Sequence, residues 1–404
     1  MMINKKTLPF LGLGISVQAP INLIGGLLML WATQSGLDLS AVGIFAGVTL
    51  PYCLTFLWAP FVDRINLPFA DKIGRKKMWC LVWQLGIIAG LLGMSTLTPN
   101  QDVMLLFACA FWVGFCGASQ GMTVDGLRID TLKDDDLTNG TVLFHFGNRL
   151  GYFAATAGMI ALSGVLSWSL VYQISVLIIL MGTLSLPFIH ERKQAEVPAN
   201  FDTMVVKPIK EFYARQPMVL LCAFIVLYKL CNGMLGKMAY PFYYDVGFTK
   251  NQIAVVSATF GSIITTLGVF LGGYILKKAK FKPLLLWLGA IEILTSFAFS
   301  GLAIAGPSIP LFFAVIVFDN IVGGMGSAIW AVFLSRLCSR EFSATQYAFL
   351  NALTMVPLTL LGTTSGWLAA QMGWITYFAF TGVLMVPALC MIVYCQKLFK
   401  GKEA

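Results

Sequence analysis

Four ionisable residues stand inside long apolar stretches of this 404-residue chain: Arg149, Lys229, Glu292 and Asp319. A charge in hydrocarbon is costly, so each is a candidate contact for a solute or an ion. The two cations suit an anionic solute, because a guanidinium clamps a carboxylate through two hydrogen bonds and an ammonium offers a point charge. Asp319 suits proton exchange: desolvation favours its neutral form and an approaching Lys or Arg its charged form, so a changing environment loads and releases a proton. The opposing expectation is a fixed ion pair of Asp319 with Lys229 or Arg149 that only ties helices together. Asp125, Arg128 and Asp130 crowd the end of one apolar run and read as an ion network at a helix end. An enzyme would need a nucleophile with its base, or a metal cluster, at this depth. His145 and His190 near run ends and nine scattered cysteines without CxxC spacing supply neither. No catalytic residue, metal site or cofactor is expected.

Spanning helices must hold these groups. The chain is 58% hydrophobic and 11% charged, against about 25% charged in soluble domains. Apolar runs of about 20 residues, enough to cross a bilayer as helix, recur twelve times, near 8–33, 40–62, 78–97, 103–127, 140–163, 166–189, 216–238, 251–276, 283–305, 309–335, 343–369 and 373–396. This predicts an all-α integral membrane protein of twelve transmembrane helices, since a helix satisfies every backbone group internally and a barrel would show short alternating segments. The first run follows Lys5 and Lys6 as a secretory signal would, yet it is too long and lacks a small-residue cleavage pattern, so it reads as a retained helix.

Between the second and third runs lies LWAPFVDRINLPFADKIGRKKMWCLVWQ, Leu57 to Gln84, dense in charge and too short for a folded domain. The net charge of +9 would suit nucleic acid, but the positions decide otherwise: 23 of the 27 Lys and Arg residues fall on one side of a twelve-helix zigzag. By the positive-inside rule that side, with both termini, is expected to be cytoplasmic. The long polar loop divides the chain into a six-helix half, 1–189, a linker, 190–215, and a second six-helix half, 216–404. Weak echoes between the halves, GASQGMTVDGLRIDTL with GGMGSAIWAVFLSRLC and the Leu57 to Gln84 stretch with GGYILKKAKFKPLL, fit a transporter built from repeats.

A chain of six and six helices with Asp-Arg and Gly-Arg-Lys-Lys between helices two and three resembles the major facilitator superfamily. The longer run LWAPFVDR…LPF…GRKKMW is similar to the muropeptide permease (AmpG) branch and its relatives in the peptide/acetyl-coenzyme A transporter family. So are SQGMTVDGLRIDTL, GNRLG, IVLYKL, FDNIVGGMG and FSATQYAFLNAL, which together span nearly the whole chain. The resemblance implies a cytoplasmic gate in which Asp63 is the helix-end acid and Arg64, Arg75 and Lys76 its basic partners, with Gly74 in the motif and Asp125, Arg128 and Asp130 at the end of helix four. It also implies a central cavity lined by helices one, four, seven and ten. On these helices the chain carries Gln18, Asn22, Gln120, Lys229, Asn232, Asp319 and Asn320, to which Arg149 is added. Helix nine usually packs outside that cavity, which weakens the claim of Glu292. The aromatic stretch YPFYYDVGF after helix seven reads first as an interfacial belt and second as an outer lip of the solute path.

The chain departs from the branch where Gln120 is followed by Gly121 rather than Asp, where Asn232 replaces an acid of helix seven, and where helix one reads SVQAP instead of a Ser-Gly-Leu-Pro pattern. The expected function is secondary-active, proton-coupled import of an anionic solute across a bacterial inner membrane. Anhydromuropeptides are the leading solute and ferric carboxylate siderophores the alternative. Partners are that solute, H⁺ and the lipid bilayer, not nucleic acid, and the superfamily's default state is a monomer.

Overall fold

The computed structural model describes residues 5–37, 45–191, 206–207, 210–211 and 218–394, and all regular structure among them is helical. Nine helical segments among the described residues are long and apolar enough to cross a membrane: Pro9–Ala32, Arg75–Ser95, Val103–Thr131, Trp168–Phe188, Val219–Val246, Val255–Leu276, Phe281–Ala305, Ile309–Leu337 and Ser365–Tyr394. The three other expected spans are helical but differ from the expectation for separate reasons. The second begins outside the described residues and continues as short pieces, Phe45–Thr49, Pro51–Leu54, Thr55–Leu57 and Ala59–Arg64. Pro51 and Pro60 each sit in the first turn of a piece, where a missing N–H costs nothing. The fifth, Asp134–Phe153, runs through a π-helical turn, Ala154–Gly158, into Met159–Ser163, and its charged residues take it below spanning hydropathy. The eleventh and twelfth form one run, Ser343–Val383, bent at Gly373 (φ 70°, ψ 160°), before Val386–Tyr394. The expected linker and the lysine-rich C-terminal tail lie almost wholly outside the described residues.

The helices form two compact units. The first comprises 1–209 together with 335–349, and the second 210–334 together with 350–404. Within the first, the helices Pro9–Asn22 and Asp134–Phe153 meet at glycines. A Cβ on Gly14 would strike Phe144 O, one on Gly147 would strike Leu11 O, and one on Gly151 would strike Ile15 O. The Gly-Asn-Arg-Leu-Gly motif is thus a small-residue seam of the kind that lets membrane helices approach closely. The second unit has the same device, with Gly268 against Ile321 O and Gly324 against Thr265 O. Its core is aromatic: Phe242 packs edge to face on Phe378 with ring centres 4.7 Å apart, and Phe248 stacks on Phe312 at 4.2 Å. Of the aromatic stretch YPFYYDVGF, Phe242, Tyr243 and Phe248 are buried in this core, while Tyr240 and Tyr244 are exposed.

Candidate functional site

The charged stretch Leu57 to Gln84 builds an ion cluster inside the first unit. Helix Ala59–Arg64 carries Asp63 in its last turn, and the Trp79 indole donates to Ile65 O just beyond it, fixing where the chain leaves that helix. Asp63 is fully buried, as is Lys76 on the following helix Arg75–Ser95, and Lys76 Nζ lies 3.0 Å from Asp63 Oδ1 and 2.6 Å from Asp130 Oδ2. The same ammonium donates to Ser343 Oγ, whose hydroxyl reaches Asp130 Oδ1 at 2.7 Å. The carboxylate of Asp63 also accepts from the backbone N–H of Ala344 (3.3 Å), the backbone N–H of Thr345 and Thr345 Oγ1 (both 2.7 Å). It therefore sits on the first turn of the helix that begins at Ser343, where unpaired N–H groups and the helix dipole favour an anion.

Neighbouring charges close the rest of the cluster. Arg64 reaches Glu341 at 2.8 Å with its guanidinium 4.3 Å over the Phe342 ring. Arg340 donates to Asp130 O and Leu132 O at the end of helix Val103–Thr131, a cation at a helix C-terminus. The expected network of Asp125, Arg128 and Asp130 divides in two. Asp130 serves Lys76, while Arg128 lies 2.9 Å from Asp125 and between the rings of Phe144 and Tyr347. Of the basic partners expected for Asp63, Lys76 fills the role at ion-pair distance and Arg64 turns to Glu341. Glu341, Ser343, Thr345 and Glu191 were not singled out from the sequence. Only the Phe-Ser-Ala-Thr motif hinted at two of them.

Arg64 holds the Glu341 carboxyl below its ordinary value of 4.5 by hydrogen bonding, aided by Lys207 at 3.5 Å. A carboxyl lowered on folding stabilises above its unfolded value and loses that contribution as pH falls through the folded one. Glu341 is 45% exposed, and pairs of that kind contribute about 0–1 kcal/mol. Glu341→Gln is accordingly expected to lower the melting temperature slightly at neutral pH. The difference from wild type should vanish once the pH lies below the ordinary carboxylate range, and a difference that grows in acid would contradict the pairing.

The expected cavity residues are placed separately in the two units. In the first, Gln120 is fully buried and donates to Ser16 Oγ at 2.8 Å, tying the first helix to the fourth. Asn22 donates back to Gln18 O at 2.7 Å, and Arg149 is half-buried, carried on the glycine seam. In the second unit Lys229 is half-buried with its ammonium 5.0 Å over the Trp330 ring, and no acid lies within ion-pair distance of it among the described residues. The fixed pair of Lys229 with Asp319 is therefore absent. Asp319 is half-buried, and its neighbour Asn320 accepts from Thr265 Oγ1 at 2.6 Å. Asn232 donates to Glu292 Oε1 at 2.8 Å, and Glu292 is only 1% exposed. Its side chain turns inward, onto helix Met218–Val246.

The sequence profile of the Major Facilitator Superfamily matches residues 10–303. A putative transporter AmpG 4 of Rickettsia felis is 30% identical over 394 residues, 95% of either chain. The anhydromuropeptide permease of Escherichia coli is 29% identical over 390 residues, covering 95% of this chain and 78% of that one. Among solved structures, the proton:xylose symporter XylE superposes with a TM-score of 0.66 at 14% identity, covering 98% of this chain and 95% of that one. FucP in the outward conformation superposes at 0.69 and 12% identity, covering 96% and 97%. The family match and these relatives, with spanning helices throughout, make this a multi-pass membrane transporter, not an enzyme. The chain belongs to the Major Facilitator Superfamily, in its AmpG-type permease branch.

Proposed function

We propose that the protein is a proton-coupled importer of anhydromuropeptides, in a bacterial inner membrane with both termini cytoplasmic. The observation that carries this reading is Lys229, a cation in a spanning helix with no acid at ion-pair distance among the described residues. A cation left open at that depth suits the carboxylate of a peptide-bearing sugar. Arg149 offers a second cation in the first unit. The name of the Escherichia coli relative supports the choice of solute. The cluster of Asp63, Lys76 and Asp130 with the helix start at Ser343 serves as the gate on the charged side, made and broken once per transport cycle. Gln18, Asn22, Gln120, Asn232, Asp319 and Asn320 supply polar contacts along the path, and the protein acts as a monomer.

Purified protein in proteoliposomes, with a pH gradient imposed separately from a membrane potential, tests this reading. Labelled anhydromuropeptide is expected to accumulate when the solute side is acidic and to stop doing so when the gradient is collapsed. Accumulation of ferric carboxylate siderophores alone would replace the solute, and the changes at Gly121 and Asn232 would then mark a rebuilt path. Accumulation indifferent to the pH gradient would remove proton coupling.

A further inference from the structure

Glu292 lies near the middle of the spanning helix Phe281–Ala305, 1% exposed. Asn232 satisfies Oε1, whereas Oε2 is buried with no hydrogen-bond partner. Thr295 and Ser296 on the same helix turn their hydroxyls to the backbone carbonyl of Glu292 and leave its carboxyl alone. The charged and titratable groups that face it are Lys229, Tyr228 and Cys231 from helix Met218–Val246 and Asp319 from helix Ile309–Leu337. Gly326 packs beside it, where an added Cβ would lie 3.1 Å from Oε1. An ionised carboxylate with one bare oxygen is poorly tolerated in such a place. Lys229 stands one helical turn from Asn232 on the same helix, its ammonium 5.0 Å over the Trp330 ring and no acid at ion-pair distance among the described residues.

We propose that Glu292 is a proton-binding site whose occupancy is linked to an anion on Lys229. The inference rests on the importer reading given above. With Lys229 unoccupied, its charge compensates the Glu292 carboxylate. When the carboxylate of the solute docks on Lys229, that compensation is lost, and one proton adds to the bare Oε2 to restore neutrality. Release of the anion frees Lys229 and sends the proton out on the same side. Anion and proton then enter together as a neutral pair, and by linkage each strengthens the binding of the other equally. Asp319, the proton carrier expected from the sequence, is a bystander in this scheme.

Two measurements on the full-length reconstituted protein decide it. In transport, Glu292→Gln is expected to lower gradient-driven accumulation of labelled anhydromuropeptide about tenfold more than it lowers equilibrium exchange. Glu292→Gln that accumulates as wild type does, or Asp319→Asn that uncouples in its place, overturns the proposal. In infrared difference spectra, acidification of the wild-type protein should bring in the carbonyl band of a protonated carboxyl that is missing in Glu292→Gln, and persistence of that band in the variant also overturns the proposal. If wild type moves no anhydromuropeptide, the importer reading falls while the infrared band still decides the proton site. Should Glu292→Gln not fold, Glu292→Asp replaces it, and a carboxyl band shifted in position supports the site where an unmoved band refutes it.

Discussion

Replacing Lys76 by Ala is expected to destabilise the first unit by about 3–5 kcal/mol, the cost of breaking a buried ion pair by removing one partner. Lys76 is the only cation at ion-pair distance of both Asp63 and Asp130 among the described residues, and the two acids are 0% and 4% exposed in their side chains. Its removal leaves two buried carboxylates without their shared cation, although Asp63 keeps its bonds from Ala344 and Thr345 and Asp130 its bond from Ser343. Asp130→Asn alone should cost less, because Lys76 then still neutralises Asp63. The double change Lys76→Met with Asp130→Asn should recover part of the loss, as expected of groups in one network. Melting of the detergent-solubilised protein followed by tryptophan fluorescence measures all three. An unchanged melting temperature for Lys76→Ala would show that the cluster is not closed as described.

Gly74→Ala is expected to be nearly as damaging, although it adds one methyl group. Gly74 has φ 112° and ψ 143°, a conformation that side chains rarely adopt, and such strain costs about 1–3 kcal/mol. It also lies at the N-terminus of helix Arg75–Ser95, whose orphan N–H groups are capped from a distance. Glu191 Oε1 accepts from Lys76 N at 3.0 Å and Oε2 from Lys77 N at 3.1 Å. A Cβ at position 74 would run into Glu191 Oε2 and displace that cap, a further loss of about 0.5–2 kcal/mol. The same helix start delivers Lys76 to Asp63, so the ion cluster should loosen with it. Gly323→Ala is the control: an added Cβ there meets nothing within 4 Å, and the melting temperature should stay near wild type. Equal melting temperatures for the two variants would refute both the strain and the lost cap at Gly74.

What was legible in the sequence follows from quantities that are local along the chain. Hydropathy over about 20 residues identifies a spanning segment whatever it packs against, and nine of the expected spans stand as helices of that kind among the described residues. The exceptions are also local in origin: prolines break up the second span, and Gly373 bends the last run without ending it. The spacing of Asp63, Arg64, Gly74, Arg75 and Lys76 marked the charged motif for the same reason, since all five lie within fourteen residues.

Only the tertiary structure decided which of these charges meet. Lys76 rather than Arg64 takes Asp63 because helix Arg75–Ser95 turns that residue inward, and Glu191, Glu341, Ser343 and Thr345 come to the motif from more than a hundred residues away. Glu292 was discounted because its helix was expected to lie outside the cavity, and its bond to Asn232 on another helix has no signal within its own segment. Helices in lipid are apolar all round, so the stripe that marks the buried face of a soluble helix is missing. The sequence by itself therefore marked most of the segments greasy enough to cross and the motifs shared with the family. Helix rotation and long-range pairing determined which acid meets which base, because no periodicity within one segment encodes a partner on another.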